Sequence, residues 1–401
     1  MKIAMVFDGL QVGGVEKVGS SYAKLFHDKG NEVTIINLVP KKKAMEGVFG
    51  KQLKFVNLYF PRYLAPQQYA ALVKETGWGK YAFPIISIIL NVIIFIYKVY
   101  FFSFKDHQRY DLVIAFSGHF NDLTFVEKNF VHGTRRMCWL HGALYQYLLI
   151  SDGYLSIYRK IKNLVVLVSD DQNEALMYNR RVSLNIKKIY NPISVNRKKL
   201  NADDIEELKK KYGKFIIMVA RFSYPHKDQY TVIKALEILW KENDFKLNLL
   251  FVGSGPELEN VKRYVNTLSR YVQSHIFFVG EQKNVEKYYG AAIMLVHSSI
   301  VGEGLPTVLL EAMANHLPIV STDSKVGPRE ILGNDKYGLL CRVGDPEDMA
   351  DKISKLYYNS ELKNKIVDRA DTRIKDFSFD CAYTSFIDFL KTCDLTGKKG
   401  K

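Results

Sequence analysis

At 401 residues and 46.1 kDa the chain is long enough for two domains, each with its own core, and 47% hydrophobic with 25% charged residues excludes extended disorder. A net charge of +15 and a pI near 9.3 favour an anionic partner, whether nucleic acid, a phosphorylated substrate or an anionic membrane surface. Cys138, Cys341, Cys381 and Cys393 form no C-x-x-C and no metal-ligand spacing, which excludes a disulfide scaffold or zinc module and reads as reduced thiols in a cytoplasmic protein.

The first strand is expected at 2–7, directly at the N-terminus, with no secretory leader before it. A glycine loop from Asp8 through Gly13 and Gly14 runs into a helix ending near Gly30, and a second strand follows at 33–38. This βαβ start lacks G-x-G-x-x-G, and its second strand ends in Pro40-Lys41-Lys42-Lys43 without an acidic residue to hold a ribose. A nicotinamide dehydrogenase is therefore disfavoured.

Residues 81–104 are almost wholly apolar and near the length of a membrane span. A single crossing would place strands of one sheet on opposite sides of a bilayer. At 100° per residue Ser87, Asn91, Lys98 and Lys105 fall within about 40° of each other, so the segment reads as a helix with one narrow polar stripe. With Lys80, Lys105 and Arg109 at its flanks it is expected to lie in the plane of an anionic membrane surface, the competing reading being a helix buried in the domain or against a partner subunit.

Further strands are expected at 111–116, 136–140 and 164–169. His119 and His141 follow strand ends, where open α/β sheets place ligands; His141 is the better candidate and His119 reads as structural. Asn191-Pro192 closes the first half, and a charged helix at 201–212 is capped by Asn201. The strand 215–220 delivers Arg221 at its end, and Lys227 follows in a loop, two cations placed to clamp a diphosphate. Strands at 247–252 and 276–279 lead into turns holding Gly255 and Gly280. A buried strand at 291–296 precedes Val301-Gly302-Glu303-Gly304-Leu305-Pro306-Thr307-Val308-Leu309-Leu310-Glu311-Ala312, a glycine loop entering a helix with Pro306 at its first position. That helix N-terminus offers backbone N–H groups to an anion, and Glu311 stands on a narrow polar line among apolar neighbours. A strand at 319–322 and a helix near 378–390 complete the pattern, and the tail 396–401 is expected to be disordered.

The two glutamates eight residues apart, in the form EGLPTVLLEA, resemble the E-x7-E element of retaining GT-B glycosyltransferases of family 4, in particular those that build bacterial surface polysaccharides. The resemblance implies two Rossmann-like domains facing across a cleft: an acceptor domain at 1–191, a nucleotide-sugar domain at 192–376, and a helix at 377–395 crossing back before the tail 396–401. It implies that Arg221 and Lys227 neutralise the leaving diphosphate and that Glu303 faces the donor sugar. Glu311 would then hold the ribose, with Gly302, Gly304, Leu305, Pro306 and Thr307 lining the diphosphate. It further implies that the stretch from Gly280 to Asn284, with Gly255 nearby, lies beside the base. In the first domain it implies that Gly13, Gly14, Glu16 and His141 face the cleft. The arginine-lysine gap is one residue longer than the family's usual spacing. Since no D-x-D occurs, no obligatory metal is expected, and no cofactor beyond the nucleotide sugar, by default a uridine diphosphate sugar.

The expected function is transfer of a sugar to a membrane-associated glycan or polyprenyl-diphosphate-linked acceptor, by a protein peripheral on the cytoplasmic face of the cell membrane. A nucleotide-sugar epimerase of the same fold and a non-catalytic sugar-nucleotide binding protein are the alternatives. Nucleic acid is not an expected partner, because no run interleaves basic and aromatic residues.

Overall fold

The computed structural model describes residues 1–104, 108–178, 184–194, 201–241 and 245–393; Lys105 and the tail 396–401 lie outside them. The chain forms two compact units, Met1–Pro192 together with the segment from Ala382, and Ile193–Cys381.

The first unit is built on β1 (Lys2–Phe7), β2 (Glu32–Asn37), β3 (Lys54–Asn57), β4 (Arg109–Ala115), β5 (His132–Trp139), β6 (Asn163–Val166) and β7 (Asn185–Lys188), in the order β3-β2-β1-β4-β5-β6-β7. Every pairing among them is parallel. Ile3 to Phe7 are fully buried, as expected of a central strand covered on both faces. The chain winds outward from β1 to β3, then returns to β4 on the other side, so the direction reverses between β1 and β4. A doubly wound sheet opens a crevice at that reversal, outside the C-terminal strand ends.

The second unit repeats the plan with β8 (Phe215–Val219), β9 (Asn248–Val252), β10 (Ile276–Phe278), β11 (Met294–His297), β12 (Ile319–Thr322) and β13 (Leu339–Cys341), ordered β10-β9-β8-β11-β12-β13 and parallel throughout. Here the reversal lies between β8 and β11. β11 starts at Met294 rather than 291, because Ala291 closes the preceding helix Glu286–Ala291. Asn201 caps the Ala202–Tyr212 helix by accepting the Asp203 N–H at 3.1 Å, as its side chain predicts.

The apolar segment is a helix, Gly79–Phe104, and it is long and apolar enough to cross a membrane. β1 pairs with β4 in register Ile3↔Leu112, so both ends of the helix return to one sheet, which a single crossing forbids. Ile94 is buried in the unit's core, with Leu90, Tyr97 and Phe101 packed against that core. Its polar stripe does not face outward. Asn91 donates to the Ser87 carbonyl at 2.6 Å, and the Lys98 ammonium donates to the Lys128 carbonyl at 2.7 Å. The opposite face, including Ile85, Ile88, Val92, Phe95, Ile96 and Val99, is exposed, with Ile88 at 66% and Phe95 at 67%. The helix therefore hides its polar line and presents its apolar one.

The Phe379–Thr392 helix crosses from one unit to the other at Ala382. Its Phe386 is fully buried, and the Phe386 ring lies 4.5 Å, centroid to centroid, from that of Phe26 on the Gly14–Asp28 helix.

Candidate functional site

In the second unit, the loop after β8 carries Lys227 and the loop after β11 carries Glu303, so the reversal brings these two loops together. The Lys227 ammonium donates to Glu303 Oε2 at 2.5 Å, and His297 Nε2, at the end of β11, donates to Oε1 at 2.9 Å. Burial alone would raise the Glu303 carboxyl, but Lys227 and His297 together hold it far below the usual carboxylate range. His297, in contrast, is pushed down, first by burial and then by the Lys227 charge, so it is a neutral imidazole with its proton on Nε2. The backbone of Glu303 is fixed as well: its carbonyl accepts the N–H groups of Val326 and Gly327 at 3.1 and 2.9 Å.

The helix entered by this loop is Thr307–Ala314, with Pro306 as its N-cap rather than its first residue. Pro306 has ψ 108°, an extended value, and no side chain caps the helix N-terminus. Gly304, Leu305 and Pro306 are buried, whereas Gly302 and Thr307 are half-buried. Glu311, on the next turn, accepts from the Tyr289 hydroxyl at 2.9 Å, and Asn315 Nδ2 donates to its carbonyl at 2.8 Å.

Arg221 lies two residues past β8, exposed, and its guanidinium has no partner among the described residues. Gly255 packs against the chain after β8: a Cβ there would sit 2.3 Å from the Phe222 carbonyl oxygen, so only glycine allows this approach. Gly280 follows β10 with φ +70°, and Asn284 is exposed beyond it. All these residues lie at the C-terminal edge of the second sheet, where such sheets bind ligands. Among the described residues, no group of three or more His, Cys, Asp and Glu side chains is arranged to hold a metal ion.

The remaining expected residues belong to the first unit. Gly13 is the N-cap of the Gly14–Asp28 helix, Gly14 is exposed, and the Glu16 carboxylate curls back over Gly13. Burial raises the Glu16 carboxyl, opposed by hydrogen bonds from the N–H groups of Glu16 and Gln11. His141 follows β5 and donates from Nε2 to the Phe116 carbonyl at 2.6 Å. Its Nδ1 is buried without a hydrogen-bond partner, and burial lowers the ring to about 4, so it is neutral at physiological pH.

Sequence reasoning missed the groups between them. Asp8, immediately after β1, receives Arg62 Nε at 3.1 Å, Arg62 Nη2 at 2.8 Å and Asn121 Nδ2 at 2.8 Å, and His119 Nδ1 lies 3.3 Å from its Oδ2. Burial opposes the charge on Asp8, but the hydrogen bonds from His119 and Asn121 and the Arg62 charge leave its carboxyl below the usual range. His119, the N-cap of the Phe120–Glu127 helix, is raised, chiefly by its bond to Asp8. Asp122 accepts the N–H groups of Gly118 and His119 at 3.0 and 2.8 Å, while burial lifts its carboxyl to about 7. Position after a strand end was the available signal for both Asp8 and His119; Arg62, on a short turn at Arg62–Leu64, gave none.

Residues 201–373 match the family model described as glycosyl transferases group 1. An uncharacterized glycosyltransferase of Haemophilus influenzae is 30% identical over 175 residues, 43% of this chain and 48% of that protein. The Campylobacter jejuni N-acetylgalactosamine-N,N'-diacetylbacillosaminyl-diphospho-undecaprenol 4-alpha-N-acetylgalactosaminyltransferase is 28% identical over 204 residues, 48% of this chain and 54% of that protein. The chain thus spans about half the length of these curated relatives. In structure it is similar to Anabaena Alr3699/HepE, crystallised with UDP and glucose, with a TM-score of 0.73, 18% identity, and 98% of this chain and 100% of that one covered. The chain therefore has the GT-B fold, two parallel-sheet α/β units, and the part of it similar to the group 1 glycosyl transferases, residues 201–373, holds the Lys227–Glu303–His297 cluster.

Proposed function

We propose that the protein is a retaining glycosyltransferase of family 4 type. It moves a sugar from a uridine diphosphate sugar to a membrane-associated, polyprenyl-diphosphate-linked acceptor on the cytoplasmic face, in surface polysaccharide synthesis. The observation that carries this reading is the cluster at the second sheet's reversal. A lysine held by a permanently ionised glutamate, an unpaired arginine after β8 and an uncapped helix N-terminus stand at one sheet edge. Such groups suit the charge that builds on a departing diphosphate. Glu303 has no proton to give at neutral pH, so its part is to position Lys227 and to face positive charge developing at the anomeric carbon. Glu311, oriented by Tyr289, is the ribose ligand.

Support for the acceptor comes from the C. jejuni relative, whose substrate is linked to diphospho-undecaprenol, and for the donor from UDP in HepE. The outward apolar face of Gly79–Phe104 and the net charge of +15 support an in-plane seat on an anionic bilayer. The epimerase and binding-protein alternatives draw no support from the comparisons.

The test is transfer of label from a panel of UDP-sugars into lipid-extractable product with host membranes, comparing wild type with Arg221→Ala and Glu311→Ala. Label entering lipid from one donor, and lost in both variants, is expected. Retention by both variants overturns the donor-site assignment. EDTA should leave the wild-type rate unchanged; loss restored by a divalent cation would remove the metal-independent reading.

A further inference from the structure

Apolar exposure in the first unit does not stop at the ends of Gly79–Phe104. Trp78, just before that helix, is 58% exposed, and Val73 and Tyr81 on either side of it in the chain are exposed as well. A second pair stands far along the sequence: Leu149 and Ile150, which close the Leu144–Ile150 helix, are 72% and 60% exposed. That helix end is pinned. Lys74, on the short Leu72–Glu75 helix, donates from its ammonium to the Leu148 carbonyl and to Asp152, both at 2.9 Å. Ser151 Oγ donates to the Gln67 carbonyl at 3.4 Å, and a Cβ on Gly153 would strike that same carbonyl. Gln67 and Lys74 belong to the Pro66–Ala71 turn and the Leu72–Glu75 helix, both of which pack against Gly79–Phe104. Leu149 and Ile150 are thus fixed to the scaffold that carries the exposed apolar row.

The distribution of charge points to what covers these side chains. Residues 1–192 hold 25 Lys and Arg against 14 Asp and Glu, so 11 of the 15 surplus positive charges lie in the half that carries both apolar elements. No Asp or Glu occurs between Glu75 and Lys105. An anionic leaflet attracts such a half, whereas a second copy of it is repelled by like charge. The aromatic residues at the start of the long helix fit the same partner. The Lys80 ammonium lies 4.9 Å from the centre of the Tyr81 ring, and Trp78 stands two residues before it, the pairing of amphipathic rings with a cation that suits the headgroup boundary.

Resting on the membrane seat proposed above for Gly79–Phe104, we propose that Leu149 and Ile150 are a second insertion point in an anionic bilayer. With Trp78 and the outward row of the long helix they form one lipid-facing surface. A single in-plane helix leaves its protein free to roll about the helix axis, and a second, separate point removes that freedom. The Leu144–Ile150 helix begins only four residues after β5 ends at Trp139, so it springs from the C-terminal edge of the first sheet. The second point therefore holds that edge toward the lipid.

The experiment uses the full chain and vesicles of phosphatidylglycerol with phosphatidylcholine. Leu149→Glu with Ile150→Glu should lower vesicle affinity about tenfold or more, the size expected when two aliphatic side chains no longer leave water. The unfolding midpoint in lipid-free buffer should stay the same, because both side chains are exposed in the fold. Depth is read by fluorescence. Of the three tryptophans, Trp139 and Trp240 are buried, so Trp78 is the exposed reporter, and Trp78→Phe with Leu149→Trp moves that reporter to the helix end. Acyl chains brominated near the headgroup should quench the reporter in both positions. Quenching at Trp78 but not at the helix end, or full vesicle affinity in the double glutamate variant, overturns the second insertion point and leaves the seat of Gly79–Phe104 standing. A lipid-free dimer that this variant splits, with its vesicle affinity kept, assigns the face to a second copy and overturns the proposal too. Wild type that binds no vesicles removes the membrane seat and the proposal together.

Discussion

Glu303 accepts from two side chains that compete for nothing else in the site, and this division of its oxygens fixes its protonation as well as its place. Its folded pKa lies below the ordinary 4.5, so the stability it contributes is complete above about pH 4.5 and is lost as pH falls toward the folded value. Wild type should therefore lose more stability than Glu303→Gln below pH 4.5, read by thermal unfolding across pH; parallel curves would show the pair to be unimportant. His141 adds in the same sense, neutral when folded, and its contribution fades as pH falls from 6.5 to about 4. Asp122 has the opposite sign, because its raised carboxyl costs stability as pH rises from 3.8 to about 7. Carbon-detected titration should find Asp122 half-protonated near pH 7, and a midpoint near 4 would remove the burial argument. A double-mutant cycle of Lys227→Met with Glu303→Gln should give a coupling of roughly 0.5–3 kcal/mol in unfolding free energy.

At the scale of elements, the buried parallel strands were legible because their apolar runs are continuous and end in glycine or polar residues. The motif from Gly302 to Glu311 was legible for the same reason, since strand, loop and helix follow one another locally. The orientation of Gly79–Phe104 was not. Periodicity tells which residues share a face but not which face docks, and here the stripe of Ser87, Asn91 and Lys98 turned inward because neighbouring carbonyls, including that of Lys128, could satisfy it. Asp8 and His119 were hidden by distance, being 111 positions apart and joined only by strand order. The exposed row supports a firm expectation: Ile88→Glu with Ile96→Glu should greatly reduce flotation with anionic liposomes while leaving the unfolding midpoint nearly unchanged, as surface substitutions do. Unchanged flotation would end the membrane role of this helix.

For the whole molecule, charge and chain path matter most. A surplus of 15 positive charges predicts that liposome binding weakens steeply with salt, whereas binding by the apolar face alone would persist. The path is the stronger constraint. The first unit is completed by the part of the Phe379–Thr392 helix from Ala382 onward, through Phe386 against Phe26 and through Asn185 Nδ2 donating to Thr392. Phe386→Ala should cost about 3–5 kcal/mol, measured as denaturant unfolding of the first unit; an unchanged midpoint would show that the returning helix adds little to it. The same path sets an order of events during synthesis. Residues 193–381 leave the ribosome as an uninterrupted stretch and can reach their fold first. The earlier-made unit must wait, its helix Gly14–Asp28 uncovered at Phe26 and its apolar row at Gly79–Phe104 already exposed. A nascent chain in that interval leaves both apolar surfaces open until the segment from Ala382 arrives, which makes the interval the stretch of synthesis most exposed to misassociation.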